Sequence, residues 1–97
     1  MITGEEIFLI LSGLKEELAD RYKVKKIGVF GSFARGDASE KSDVDILVEY
    51  SETPGFFGFI ELEDYLKEKL GRNVDLATQN ALKPAIRKRV ISEIKYV

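Results

Sequence analysis

Apolar residues recur at Ile7, Leu11, Leu14 and Leu18, the spacing of one helical face, behind Thr3 and Glu6 in the pattern of a capping box. This predicts a first helix from about Gly4 to Tyr22. Val24 to Phe30 is rich in strand formers and stops abruptly at Gly31 and Ser32, as a strand does when it delivers the chain into a tight turn. Phe33 to about Gly36 reads as a short helical turn, and Asp37 to Ser42 as a polar loop. From Asp43 the pattern alternates. Val44, Ile46, Val48 and Tyr50 fall on one face and Asp43, Asp45, Leu47 and Glu49 on the other, which predicts a second strand. Pro54 and Gly55 end it. Phe59, Leu62, Leu66 and Leu70 then form a helical stripe closed by Gly71. Val74 to Ala77 predicts a short third strand. Pro84 opens a last helix, carried by Ile86, Val90, Ile91 and Ile94 to the C-terminus. The order is α, β, short α, β, α, β, α, an α/β (α+β) chain without an internal repeat or linker.

Length and composition narrow the chemistry. With 97 residues, 44% of them apolar, the chain suits one compact core, so residues 1–97 are expected to form a single domain. Charged residues make up 33%, but 15 basic and 17 acidic side chains nearly cancel to −2, which speaks against a broad footprint on duplex nucleic acid. Neither cysteine nor histidine is present. That removes disulfides, thiolate or imidazole metal sites and an imidazole base, so any bound metal must take oxygen ligands, Mg or Mn first. The N-terminal residues lack a secretory pattern and no apolar stretch approaches a membrane span, so a cytoplasmic protein without membrane contact is the expectation.

Asp43 and Asp45 stand two apart on a strand, so their side chains leave the same face with Cα atoms roughly 6 to 7 Å apart. Two carboxylates this close repel, and on a partly desolvated sheet face one pKa rises unless a cation lies between them. No Lys or Arg occurs from Asp43 to Tyr50 to supply it. A divalent ion would, and Asp75, between Val74 and Leu76, can add a third carboxylate from an adjacent strand. Gly31 allows a tight turn and close approach of a phosphate, Ser32 adds a hydroxyl donor, and Arg35 can add positive charge near a triphosphate. Taken singly, each piece has a plainer reading: a turn marker, a solvated strand edge, a surface acid, a salt-bridged arginine. Together they supply what phosphoryl or nucleotidyl transfer requires, a phosphate cradle beside a pair of metal-binding acids.

The run Gly31, Ser32, Phe33, Ala34, Arg35, Gly36, followed by Ser42, Asp43, Val44, Asp45, resembles the signature of the DNA polymerase beta-like nucleotidyltransferase superfamily: Gly-Ser, ten residues, Asp-x-Asp. The short length, the Ala-Arg-Gly and the segment Leu82 to Arg87 resemble its minimal nucleotidyltransferase (MNT) group. The resemblance implies a small mixed sheet of about three strands flanked by helices. It implies that Gly31 and Ser32 contact the triphosphate, with Arg35 and Ser42 as further nucleotide contacts, and that Asp43 and Asp45 ligate Mg. Asp75 falls at the family's third acid, which helps to hold two ions and takes the proton of the attacking hydroxyl. Phe33 stands where many members carry Arg. Members of this size are typically antitoxins that transfer AMP from ATP onto a tyrosine of a HEPN-domain ribonuclease toxin. ATP and such a toxin are therefore the expected partners, with a homo-oligomer also compatible.

Two other readings stand beside it. The chain can be a stoichiometric binding module, docking through Phe56, Phe57, Phe59 and Ile60, although aromatics at the start of an amphipathic helix usually belong to the core. It can also act on RNA or a small molecule in trans, for which Lys83, Arg87, Lys88 and Arg89 are the only support and a solvated helix face the simpler explanation.

Overall fold

In the computed structural model, which describes residues 2–97, the Thr3 hydroxyl accepts from Glu6 N at 3.1 Å and Glu6 Oε1 accepts from Thr3 N at 3.3 Å. This reciprocal cap satisfies two otherwise orphan donors and starts α1, Gly4–Tyr22. Then come β1 (Val24–Phe30), α2 (Ser32–Arg35), β2 (Val44–Tyr50), α3 (Phe56–Leu70), β3 (Val74–Thr78), a 3-10 turn (Gln79–Ala81), α4 (Pro84–Glu93) and β4 (Lys95–Tyr96). The sheet order is β3-β2-β1-β4; β2 runs parallel to β3, while β1 is antiparallel to both β2 and β4.

The alternation in β2 decides what the sheet buries. Val44, Ile46 and Val48 join Ile27 and Val29 of β1 in one apolar cluster with Ile7, Leu11 and Leu18 of α1 and Leu62, Leu66 and Leu70 of α3. The two long helices thus cover one face of the sheet. A register shift between Val24 and Lys26 lets Val24 and Ile27 both face inward despite their odd spacing. The opposite face carries Asp45 and Leu47, and the end of α4 lies over it.

The sheet has four strands where the sequence predicts three, and the last helix stops at Glu93 instead of reaching the C-terminus. Ile94 is extended, with φ −63° and ψ 140°, and Lys95–Tyr96 then pair with Val29 and Gly28. Two residues are too few for a periodic signal. Gly28 makes the pairing possible: a Cβ there would lie 2.8 Å from Ile94 Cδ1 and 3.0 Å from Tyr96 Cδ1. The helical stripe expected over Ile86, Val90, Ile91 and Ile94 is likewise only partly buried. Val90 is fully enclosed, but Ile86 and Ile91 face solvent, because α4 meets the sheet mainly through its C-terminal end. The aromatic group also divides: Phe59 packs against the core, whereas Phe56 and Phe57 are 74% and 78% exposed at the start of α3. Among the described residues, no helix is long and apolar enough to cross a membrane.

Candidate active site

Register brings the acids together. Asp45 and Asp75 are direct partners across the parallel β2–β3 pair, which sets their backbones about 4.8 Å apart with side chains on the same face. Asp43 precedes β2 by one residue and projects to the same side. Asp43 and Asp75 are exposed and Asp45 is half-buried between them. Burial pushes the Asp45 carboxyl up to about 6, with the charges of Asp75 and then Asp43 acting in the same direction. The guanidinium of Arg35 pulls it down and Glu93 pushes it up again, so both reach the same locus.

Gly31 closes the site on the β1 side. Its φ of 73° with ψ of −152° is backbone that side-chain-bearing residues avoid. A Cβ there would collide with the Asp45 carboxylate, so the turn and the acid share one space that only glycine leaves free. After Gly31 the chain enters α2, where Ala34 N and Arg35 N donate to the Gly31 carbonyl at 3.1 and 3.0 Å and the Ser32 and Phe33 N–H groups lie outside that pattern. Ser32 is half-buried there and Arg35 is exposed. Gly31, Arg35, Asp43 and Asp75 thus lie about Asp45, with Ser32 next to Gly31 on the turn.

Among the described residues, no three carboxylates close on a common point as a finished metal cage. Oxygen donors and an acid that is costly to ionise fit a hard divalent cation, which would remove the repulsion. An open polar cavity of about 650 Å³ lies alongside, reaching Asp43 but not the other two acids. Ser42 is engaged in its own loop: its hydroxyl accepts from Ser39 N at 2.9 Å.

Two residues that the sequence reading passed over hold this arrangement. Arg72, just after α3, donates through Nη2 to the carbonyls of Glu40 at 2.7 Å and Ser42 at 2.8 Å, and its guanidinium carbon lies 5.2 Å from the centre of the Phe33 ring. It thus ties the loop before Asp43 to α2, and buried Phe33 serves as its platform. No periodicity marks such a residue. Arg72→Ala is expected to cost about 2 kcal/mol, from charged hydrogen bonds lost to the loop carbonyls, that of Ser42 partly buried, and to speed amide exchange across residues 37–43. A denaturation midpoint and hydrogen exchange measure both. Glu93 is the second: its Oε1 accepts from Gly31 N at 2.9 Å and Arg35 Nη1 reaches both its oxygens at 3.4 Å. An acid on the last residue of a helix opposes the helix dipole, and the sequence offered only the weaker sign of an acid near the end of its last helix. Arg87, a candidate for nucleic-acid contact, instead donates to the carbonyls of Gln79 and Leu82 before α4.

Residues 11–97 match the family model described as Nucleotidyltransferase domain. The chain is 53% identical, over 97 residues, to the Protein adenylyltransferase MntA of Thermococcus cleftensis, covering all of this chain and 98% of that one. A solved structure of a minimal nucleotidyltransferase superposes with a TM-score of 0.82 at 31% identity, over 97% of this chain and 95% of that one. A tri-AMPylated Shewanella oneidensis HEPN toxin in complex with an MNT antitoxin contains a chain of the same fold, with a TM-score of 0.67 at 24% identity, over 93% of this chain and 70% of that one. The chain therefore belongs to the nucleotidyltransferase domain family, among its minimal members.

Proposed function

We propose that the chain is a Mg-dependent protein adenylyltransferase that moves AMP from ATP onto a tyrosine of a HEPN-type ribonuclease toxin, and so acts as its antitoxin in the cytoplasm. The observation that carries this reading is Asp45, a half-buried acid flanked by Asp75 and Asp43 and packed directly against the Gly31 turn. Gly31, Ser32 and Arg35 hold the triphosphate, and Ser42 holds the loop that delivers Asp43 to it. Asp43, Asp45 and Asp75 would hold two Mg ions, which would supply positive charge to offset that of the triphosphate and the leaving pyrophosphate. The tyrosine oxygen attacks the α-phosphorus, the bond to the β-phosphate oxygen breaks, and pyrophosphate leaves. Asp75, exposed beside Asp45, takes the phenolic proton.

Because Asp45 must lose its proton to bind a cation, Mg affinity is expected to fall about tenfold per pH unit below about 6 and to level off above it. Isothermal titration of Mg between pH 5 and 8 reads this out.

The solvent-facing pair Phe56 and Phe57, packed edge to face at 5.8 Å, favours one competing reading, a binder that neutralises its partner by contact alone. Ribonuclease assays separate the two. An enzyme silences the toxin at a small fraction of its molar amount, only with Mg and ATP, and the silencing survives its removal. A binder needs an equimolar amount and no ATP, and that outcome would displace the proposed function.

A further inference from the structure

Glu93 lies in an unfavourable place. It ends α4, at the pole where a negative charge is least welcome, and adds a further negative charge to a site that already holds Asp43, Asp45 and Asp75. Arg35 does not require it, since Arg35 Nε already pairs with Asp37 at 3.2 Å. Yet the Glu93 side chain is only 16% exposed, held by Gly31 N and by the Arg35 guanidinium. These two donors, a main-chain N–H in a glycine turn and an arginine fork, are also groups that bind phosphate oxygens.

We infer that the Glu93 carboxylate is the resident anion of the triphosphate cradle, displaced when nucleotide binds, so that this side chain sets the affinity for nucleoside triphosphate. The inference rests on the reading of Gly31 and Arg35 as triphosphate contacts. Without nucleotide, Glu93 satisfies the Gly31 N–H and keeps the turn formed against Asp45. A triphosphate offers the same donors more oxygens and more charge. As the last residue of its helix, Glu93 can yield by side-chain rotation, with no unwinding of α4. Part of the binding free energy is thereby used to evict it, and apparent affinity drops by the fraction of molecules whose cradle is closed.

The test measures binding of a non-hydrolysable ATP analogue with Mg by calorimetry, for the wild type, Glu93→Gln, Glu93→Ala and Arg35→Ala, with circular dichroism on each. Both Glu93 variants are expected to bind more tightly, by about fivefold or more, because a charged competitor for the same donors is lost. A purely structural Glu93 gives a different pattern: Glu93→Gln, which still offers Gly31 N an acceptor, matches the wild type, and Glu93→Ala binds more weakly. That pattern overturns the inference. If Arg35→Ala weakens binding while neither Glu93 variant binds more tightly, the inference alone falls. If Arg35→Ala leaves affinity unchanged, the reading of the cradle falls and the inference with it.

Discussion

Asp45→Asn is expected to reduce AMP transfer by a factor of at least about 10² to 10³ and, in the absence of metal, to make the protein more stable. The two effects share one cause. Asp45 is held half-buried beside Asp75 and Asp43, so its ionised form is disfavoured and its carboxyl titrates at about 6 against an ordinary 3.8. The folded protein therefore holds this proton more tightly than the unfolded chain. Between those two values the fold binds more protons, so metal-free stability falls as pH rises through about 6 and stays low above it. The penalty at neutral pH is at most about 3 kcal/mol, and less where solvent screens the open side of the site. The amide of Asn carries no charge and avoids it. Melting in EDTA should show the variant several degrees above the wild type at pH 7.5 and the two close together at pH 4. With saturating Mg the order should reverse, because only the carboxylate gains from the cation.

Gly31→Ala should be the most damaging small change in the chain. Its backbone, at φ 73° and ψ −152°, costs a side-chain-bearing residue about 1 to 3 kcal/mol, and the new methyl would also enter the space of the Asp45 carboxylate. Together they are expected to remove about 3 kcal/mol or more, a large part of the stability of a domain this size. Transfer should fall by at least about 10²-fold even at temperatures where the variant remains folded, since a misplacement near 1 Å in the cradle is enough. The collision gives the prediction a specific signature. Asp45→Ala should add more stability in the Gly31→Ala background than it does in the wild type, a non-additivity expected for side chains in contact. Additive changes in the denaturation midpoints would place the cause in the backbone alone.

The elements that could be read from the sequence are those with many repeated positions. The capping box and four apolar positions at helical spacing define α1 from Gly4 to Tyr22, and the alternation along β2, broken only by Leu47, fixes the strand and, with it, the face that Asp45 shares with its neighbours. That Asp45 and Asp75 stand opposite each other is a matter of register, which a strand of five residues cannot specify by itself. What escaped notice depends on single long-range contacts. β4 is two residues long and rests on the missing Cβ of Gly28; Glu93 reaches Gly31 across 62 positions, and Arg72 reaches Ser42 across 30. Only Glu93 left a local trace, as an acid at the wrong end of a helix. The split of the Phe56 to Ile60 cluster escaped for a related reason: the helical stripe continues to Phe56 by spacing, but its first turn lies beyond what the sheet covers.

The central claim is that Asp43, Asp45 and Asp75, set against the Gly31 turn, move a nucleotide onto a protein. The direct measurement incubates the purified chain with Mg and ATP labelled at the α-phosphate, in lysate of its own organism, beside a variant carrying Asp43→Asn and Asp45→Asn and a parallel reaction labelled at the γ-phosphate. The account predicts a labelled protein band with the α-label, none with the γ-label, and none with the double variant or with EDTA. Label from the γ-phosphate, or equal α-label with the double variant, would contradict it.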